Sequence, residues 1–214
     1  MEKLVDRNTI CLVGSAPGFP HGVVDDIPGI CKIAKKAGGI PVHVDNCLGW
    51  FFLFQVCGFV LSMINDAKLV DTPFDFQVEG VTSISCDLHK QIGSPKGVSA
   101  ILYRDLAMRR YQFYSYVDWS GGLYATATFK GSGNGGLWAA AWANLVFHGY
   151  DSIQQKSIRL QKGCEKLCAK LSKIDDVQIL GNPVAVAVAF RFKDSDKHTY
   201  ALAEALKQIG HWQV

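Results

Sequence analysis

Two short constellations hold the residue types that do chemistry: His43-Val44-Asp45-Asn46-Cys47 and Ser85-Cys86-Asp87-Leu88-His89-Lys90. Side chains two apart on a strand share a face, so a strand through the first segment points His43, Asp45 and Cys47 the same way. Such a trio offers ligand atoms to a metal, but no second Cys or His cluster of ligand spacing supports one, and no metal is expected. A strand-end aspartate serves instead as the cap of the next helix or as the partner of a protonated ring nitrogen. In the second segment a lysine beside His89, directly after an apolar run and shortly before Gly93, is placed to meet a ligand. A Schiff-base lysine must spend time neutral, so from a reference value of about 10.4 its pKa has to come down through desolvation or a neighbouring cation. Asp87, His89 and Lys96 are expected to supply those surroundings. Alone, Lys90 reads as a solvated surface residue. With Asp45 about 45 residues away, the pair fits a pyridoxal-phosphate site, the aspartate keeping the pyridine nitrogen protonated and the lysine holding the cofactor.

The elements that must position these groups read as an α/β fold. Ile10–Gly14 is a short apolar run ending in turn formers, hence a strand. Asp25 and Asp26 ahead of Pro28 form an N-cap with proline in the first turn, and Gly38-Gly39 stops the helix they open. Pro41–Asp45 is the next strand, completing a strand–helix–strand unit and hence a parallel sheet with ligands at its carboxyl strand ends. Val81–Ser85 and Ser99–Tyr103 are further strands. Gly131–Gly136 is a flexible loop, a weak candidate for exposing N–H groups to phosphate. Helices are expected over about 137–147, over 151–174, where Leu160, Cys164, Leu167, Leu171 and Ile174 form an apolar face, and over 195–209. Strands are expected at 177–180 and 184–192. The change in composition near Asp151 suggests two domains, 1–150 and 151–214.

The chain has 214 residues, 49% apolar and 19% charged, with a net charge of +3. That composition excludes disorder, and the mild, evenly spread charge argues against nucleic acid as a partner. Seven single cysteines suggest reduced thiols. The opening residues carry no secretory signal. Trp50–Ile64 is uncharged but, at 15 residues, short of the roughly 20 a membrane span needs, so a buried helix is expected.

Further residues carry a resemblance. They are Phe19-Pro20-His21-Gly22-Val23, His43-Val44-Asp45 with Cys47-Leu48-Gly49, Phe74-Asp75-Phe76, and Gly80–Ser85 with Asp87 and His89-Lys90. Asn8-Thr9, Gly14-Ser15, Pro95-Lys96-Gly97, Asp118-Trp119 with Gly121-Gly122, Tyr124-Ala125, Gly131-Ser132, Gly135-Gly136 and Gly181-Asn182-Pro183 complete the set. Over nearly its whole length the chain resembles the sphingosine-1-phosphate lyases of the group II pyridoxal-phosphate-dependent decarboxylases. The resemblance implies the aspartate-aminotransferase fold (fold type I), here a partial large domain with a mainly parallel sheet and the start of a small α+β C-terminal domain. It implies cleavage of a phosphorylated long-chain base to a fatty aldehyde and phosphoethanolamine, pyridoxal 5′-phosphate as cofactor, and a homodimer. By the same resemblance Lys90 holds the cofactor, Asp45 its pyridinium, and His21 and Lys96 handle substrate phosphate or protons. His43, Cys47, Asp87 and His89 line or orient the cofactor.

The resemblance also places family segments on both sides of this chain, so a central fragment is expected. The upstream part implied by the family contains the phosphate-gripping loop and, in eukaryotic members, an anchor to the endoplasmic reticulum membrane with the enzyme facing the cytosol. The chain alone contains no such span and is expected to be cytosolic. Gln91-Ile92-Gly93 replaces tyrosines of the family pattern, and Gly133-Asn134 replaces an arginine and proline, removing a guanidinium suited to phosphate. Two alternatives stay open: an amino-acid decarboxylase of the same superfamily, and a non-catalytic dimerising or regulatory subunit.

Overall fold

The computed structural model describes residues 1–49, 72–184 and 187–213. The segment Trp50–Ile64, expected as a buried helix, lies outside the described residues. Among those described, no helix is long and apolar enough to cross a membrane.

The first strand, β1 (Leu12–Ser15), leads into helix α1 (Ile27–Lys36), which returns the chain to β2 (Val42–Asp45). The boundaries of α1 arise from its sequence. Asp26 caps it by accepting a hydrogen bond from the Gly29 N–H at 2.9 Å, and Pro28 sits in the first turn where no donor is needed. Gly38 and Gly39 end it with φ of 95° and 85°, backbone that a Cβ would disfavour. Ile27, Ile30, Cys31 and Ala34 form its buried face and pack against the sheet.

β3 (Val81–Asp87) runs parallel to β2, as β2 does to β1, and β4 (Ser99–Tyr103) closes the sheet antiparallel, in the order β1-β2-β3-β4. The register between β2 and β3 shifts between Val42 and His43. Val42 faces Val81, whereas His43, Val44 and Asp45 face Ser83, Ile84 and Ser85. Thr82 is the extra residue, and its hydroxyl donates to the Val42 carbonyl at 2.9 Å. Because side chains alternate, one additional residue moves everything beyond it to the opposite face. Val81, Ile84 and Cys86 can therefore all be fully buried, while Ser83, Ser85 and Asp87 line the other side with His43 and Asp45.

After β3 come the helical turn α2 (Leu88–Gln91), β4, and the short helix α3 (Leu106–Arg110), capped by Asp105. The hairpin of β5 (Tyr114–Tyr116) and β6 (Tyr124–Thr126) comes next. Helix α4 spans Gly135–Leu171 and breaks at Gly149, where φ is 62° and ψ 177°. It joins the two helices expected at 137–147 and 151–174. Ile153 from its second half belongs to the same core cluster as β1–β3, with Leu145 and Leu160 packed against it. The hairpin of β7 (Val177–Ile179) and β8 (Phe190–Phe192) precedes helix α5 (Thr199–Gly210). The Gly131–Gly136 loop is the entry to α4, with the Asn134 side chain accepting from the Gly136 N–H at 2.9 Å.

Candidate active site

Strands β2 and β3 end side by side, and the segments leaving them hold the two constellations. Asp45 is the last residue of β2 and lies opposite Ser85. Its Oδ1 accepts from the Cys47 N–H at 3.0 Å, a turn that carries the chain off the strand end, and from the Ser85 hydroxyl at 3.4 Å. One pair toward the amino end, His43 lies between two hydroxyls, Nδ1 at 2.8 Å from Ser83 Oγ and Nε2 at 3.2 Å from Ser85 Oγ. Burial pushes the His43 pKa below that of an ordinary histidine against the opposing pull of the Asp45 charge, so the ring is neutral at physiological pH.

Lys90 stands in α2, one helical turn beyond Asp87. Leu88 anchors that turn by packing in a small core cluster with Val98 and Ala141. Asp87 Oδ2 lies 2.8 Å from Lys90 Nζ and 3.7 Å from His89 Nε2, and its Oδ1 accepts from Ser99. His89 Nδ1 lies 2.8 Å from the Val98 carbonyl. A carbonyl only accepts, so the proton is on Nδ1 and the ring orientation is fixed. Burial opposes ionisation of Asp87, but hydrogen bonds from Lys90 and Ser99 outweigh it and hold the carboxyl below the usual carboxylate range.

Burial also works to lower the Lys90 pKa, yet hydrogen bonds and charge from Asp87 and Cys47 outweigh it and hold the ammonium above an ordinary lysine. The sequence suggested the reverse, a lysine lowered by Asp87, His89 and Lys96. The geometry differs because the nearest charge is a carboxylate in direct contact, whereas Lys96 lies apart and exposed in the loop before β4. Burial raises the Cys47 thiol, with the hydrogen bond to Lys90 pulling the other way. Cys47 thus bridges the two halves of the site.

His43, Asp45, Cys47, Asp87, His89 and Lys90 therefore form one connected group. Among the described residues, His21 and Lys96 take no part in its hydrogen bonds and ion pairs. His21 is exposed on the loop after β1, where Gly18 pairs with Val23 and Val184 N–H donates to the Gly22 carbonyl at 2.7 Å. Gly22 has φ of 67°, and a Cβ there would lie 2.3 Å from the Ala187 carbonyl oxygen, so the loop beside His21 admits only glycine. Residue reading missed Ser83, Ser85 and Ser99. The first two alternate with the same period as His43 and Asp45, but only the register across the bulge places them opposite.

A cleft of about 690 Å³ runs along outer strand β4 and is lined by residues including Phe76, Tyr103, Arg104, Gln112 and Trp138. Ser99 reaches it, whereas Asp45 and Lys90 are not among its lining residues.

No family model matches the sequence. The chain is 41% identical over 210 residues to sphingosine-1-phosphate lyase 1 of Rattus norvegicus, covering 98% of this chain and 35% of that protein. A Burkholderia pseudomallei sphingosine-1-phosphate lyase structure superposes over 99% of this chain and 46% of its own, with a TM-score of 0.82 and 33% identity. The Lactobacillus brevis glutamate decarboxylase shares the fold, with a TM-score of 0.72 at 20% identity over 98% of this chain and 47% of its own. The chain spans about a third of the length of the curated relatives it matches. The α/β architecture expected from the sequence is thus that of the group II decarboxylases.

Proposed function

The chain belongs to the sphingosine-1-phosphate lyase family, and from that premise we propose that it supplies the lysine and aspartate of a pyridoxal-phosphate-dependent carbon–carbon lyase. The substrate is a phosphorylated long-chain base and the products are a fatty aldehyde and phosphoethanolamine. The observation that carries this reading is that Asp45 ends β2 and the Lys90 turn follows directly on β3, its parallel neighbour, with Lys90 tied to the strand end through Asp87. The donor set fits the cofactor: a carboxylate for a ring N–H and a primary amine for an aldehyde carbon. When bound, pyridoxal phosphate supplies an electron sink for the carbanion left by carbon–carbon cleavage.

The chain's own residues then have defined work. Lys90 would hold the cofactor covalently and must first give up its proton, a loss that the ion pair with Asp87 at 2.8 Å opposes. Asp45 pairs with the pyridinium, and His43, Cys47, Asp87 and His89 keep these two groups in place. His21 and Lys96, both exposed, are assigned to substrate phosphate or to proton transfer. The reading extends to a homodimer, to a boundary between 1–150 and 151–214 at the Gly149 break, and to a family setting at the cytosolic face of the endoplasmic reticulum.

The test is to treat the chain with pyridoxal phosphate, reduce with borohydride and map the labelled peptide. Label on Lys90, lost in Lys90→Ala, is the expected result. Label on Lys96 instead, or label spread evenly over surface lysines, refutes the assignment.

A further inference from the structure

We propose that Ser83, His43 and Ser85 form a one-way hydrogen-bond chain whose function is to hold the Asp45 carboxylate in a fixed orientation, with Ser85 as a positioning residue of the site. The value of this to catalysis rests on the reading of Asp45 as the pyridinium partner; the chain of bonds itself does not.

The direction comes from counting donors. A carboxylate only accepts, so the Ser85 hydroxyl spends its single proton on Asp45 Oδ1. Ser85 Oγ then has only lone pairs to offer His43, which makes Nε2, 3.2 Å away, the donor. A neutral imidazole with its proton on Nε2 has an accepting Nδ1, and Ser83 Oγ, 2.8 Å away, donates to it. Each bond fixes the next, and every proton points toward Asp45. The Cys47 N–H adds a second donor to the same oxygen. Both of these donors take Oδ1.

The sheet explains why this chain is assembled here. Ser83 lies opposite His43 and Ser85 opposite Asp45, and the bulge at Thr82 brings the two serines onto the face of the two functional side chains. Ser83 is buried and both His43 and Ser85 are partly buried, so water competes weakly for these bonds.

The experiment is nitrogen NMR of the His43 ring in the chain without cofactor, so its failure is separate from failure of the lyase reading. The His43 signals, assigned by their loss in His43→Gln, are expected to show a single Nε2–H tautomer. Ser83→Ala and Ser85→Ala should each mix the tautomers, and Ser85→Thr, which keeps the hydroxyl, should restore the single form. An Nδ1–H tautomer in the unmodified chain overturns the proposal without recourse to any variant. So does a single tautomer that Ser85→Ala leaves in place while the variant's amide spectrum stays native.

Discussion

Replacing Asp87 by asparagine preserves the size of the side chain and its capacity to accept from Ser99, and deletes one charge 2.8 Å from Lys90 Nζ. At that separation the Coulomb attraction is about 1.5 kcal/mol in water and about 6 kcal/mol at an effective dielectric of about 20. The Lys90 side chain is 33% exposed and that of Asp87 16%, so solvent screens the pair and the smaller figure sets the scale. A loss of about 1.5 kcal/mol corresponds to about a tenfold rise in the neutral fraction of Lys90 at fixed pH. The burial that already works to lower this lysine is then opposed by Cys47 alone among the causes found in the structure. The assay is competitive labelling with a limiting amine-acylating reagent from neutral to alkaline pH, read by peptide mass spectrometry, with exposed Lys96 as internal reference. Asp87→Asn should raise the Lys90 rate about tenfold relative to Lys96. Superimposable pH profiles for the two proteins would show that Asp87 does not control the amine, and the ion-pair reasoning would fail.

The same pair sets a pH window for stability. The Asp87 carboxyl is held below its ordinary value, so its contribution is present above about pH 4 and is lost as pH falls through the folded value. Lys90 is held above its ordinary value, so its share is present below about pH 10 and is lost as pH rises through the folded value. The stability gap between the unmodified chain and Asp87→Asn, measured by urea unfolding, should be widest near neutrality and close at both extremes. Arg104→Ala removes donors to the Val81, Phe76 and Val78 carbonyls at 2.5, 3.0 and 2.9 Å, and a stacking contact with Phe76. It should cost about 2–4 kcal/mol in the same assay, the three bonds sharing one side chain and so not adding in full. Asp26→Ala should cost about 1 kcal/mol by removing the cap of α1, visible as early loss of helical signal on heating.

How much of this was legible depended on whether the signal was local. The β1–α1–β2 unit was readable because Asp26, Pro28 and Gly38-Gly39 each act within one turn of the helix ends. The pairing of Asp45 with the Lys90 segment was also readable, since both sit where strands end and ligands meet α/β sheets. The bulge was not. Val81-Thr82-Ser83-Ile84-Ser85 contains no glycine or proline to mark it, and the shift exists only relative to β2. Without the register, Ser83 and Ser85 are ordinary polar residues. The electrostatics of Lys90 were misjudged because linear distance ranks His89 and Asp87 alike, whereas in space the carboxylate is in contact and the imidazole is turned toward Val98. The break at Gly149 separates two periodic segments that read as separate helices, and the aromatic β5–β6 hairpin lacks the burial that gives strands their alternation.

The ends of the candidate site differ in how far along the chain their contacts reach, and this bears on the order in which they form. Lys90 meets Asp87 three residues away, and Asp87 meets Ser99 across 12. Asp45 meets Ser85 across 40, after the parallel docking of β2 on β3. Short loops close sooner than long ones, so the lysine end can take shape in the β3–β4 reversal while the aspartate end waits for the non-local pairing. The ion pair that raises Lys90 in the finished chain is thus the contact of this group that needs the least chain to close.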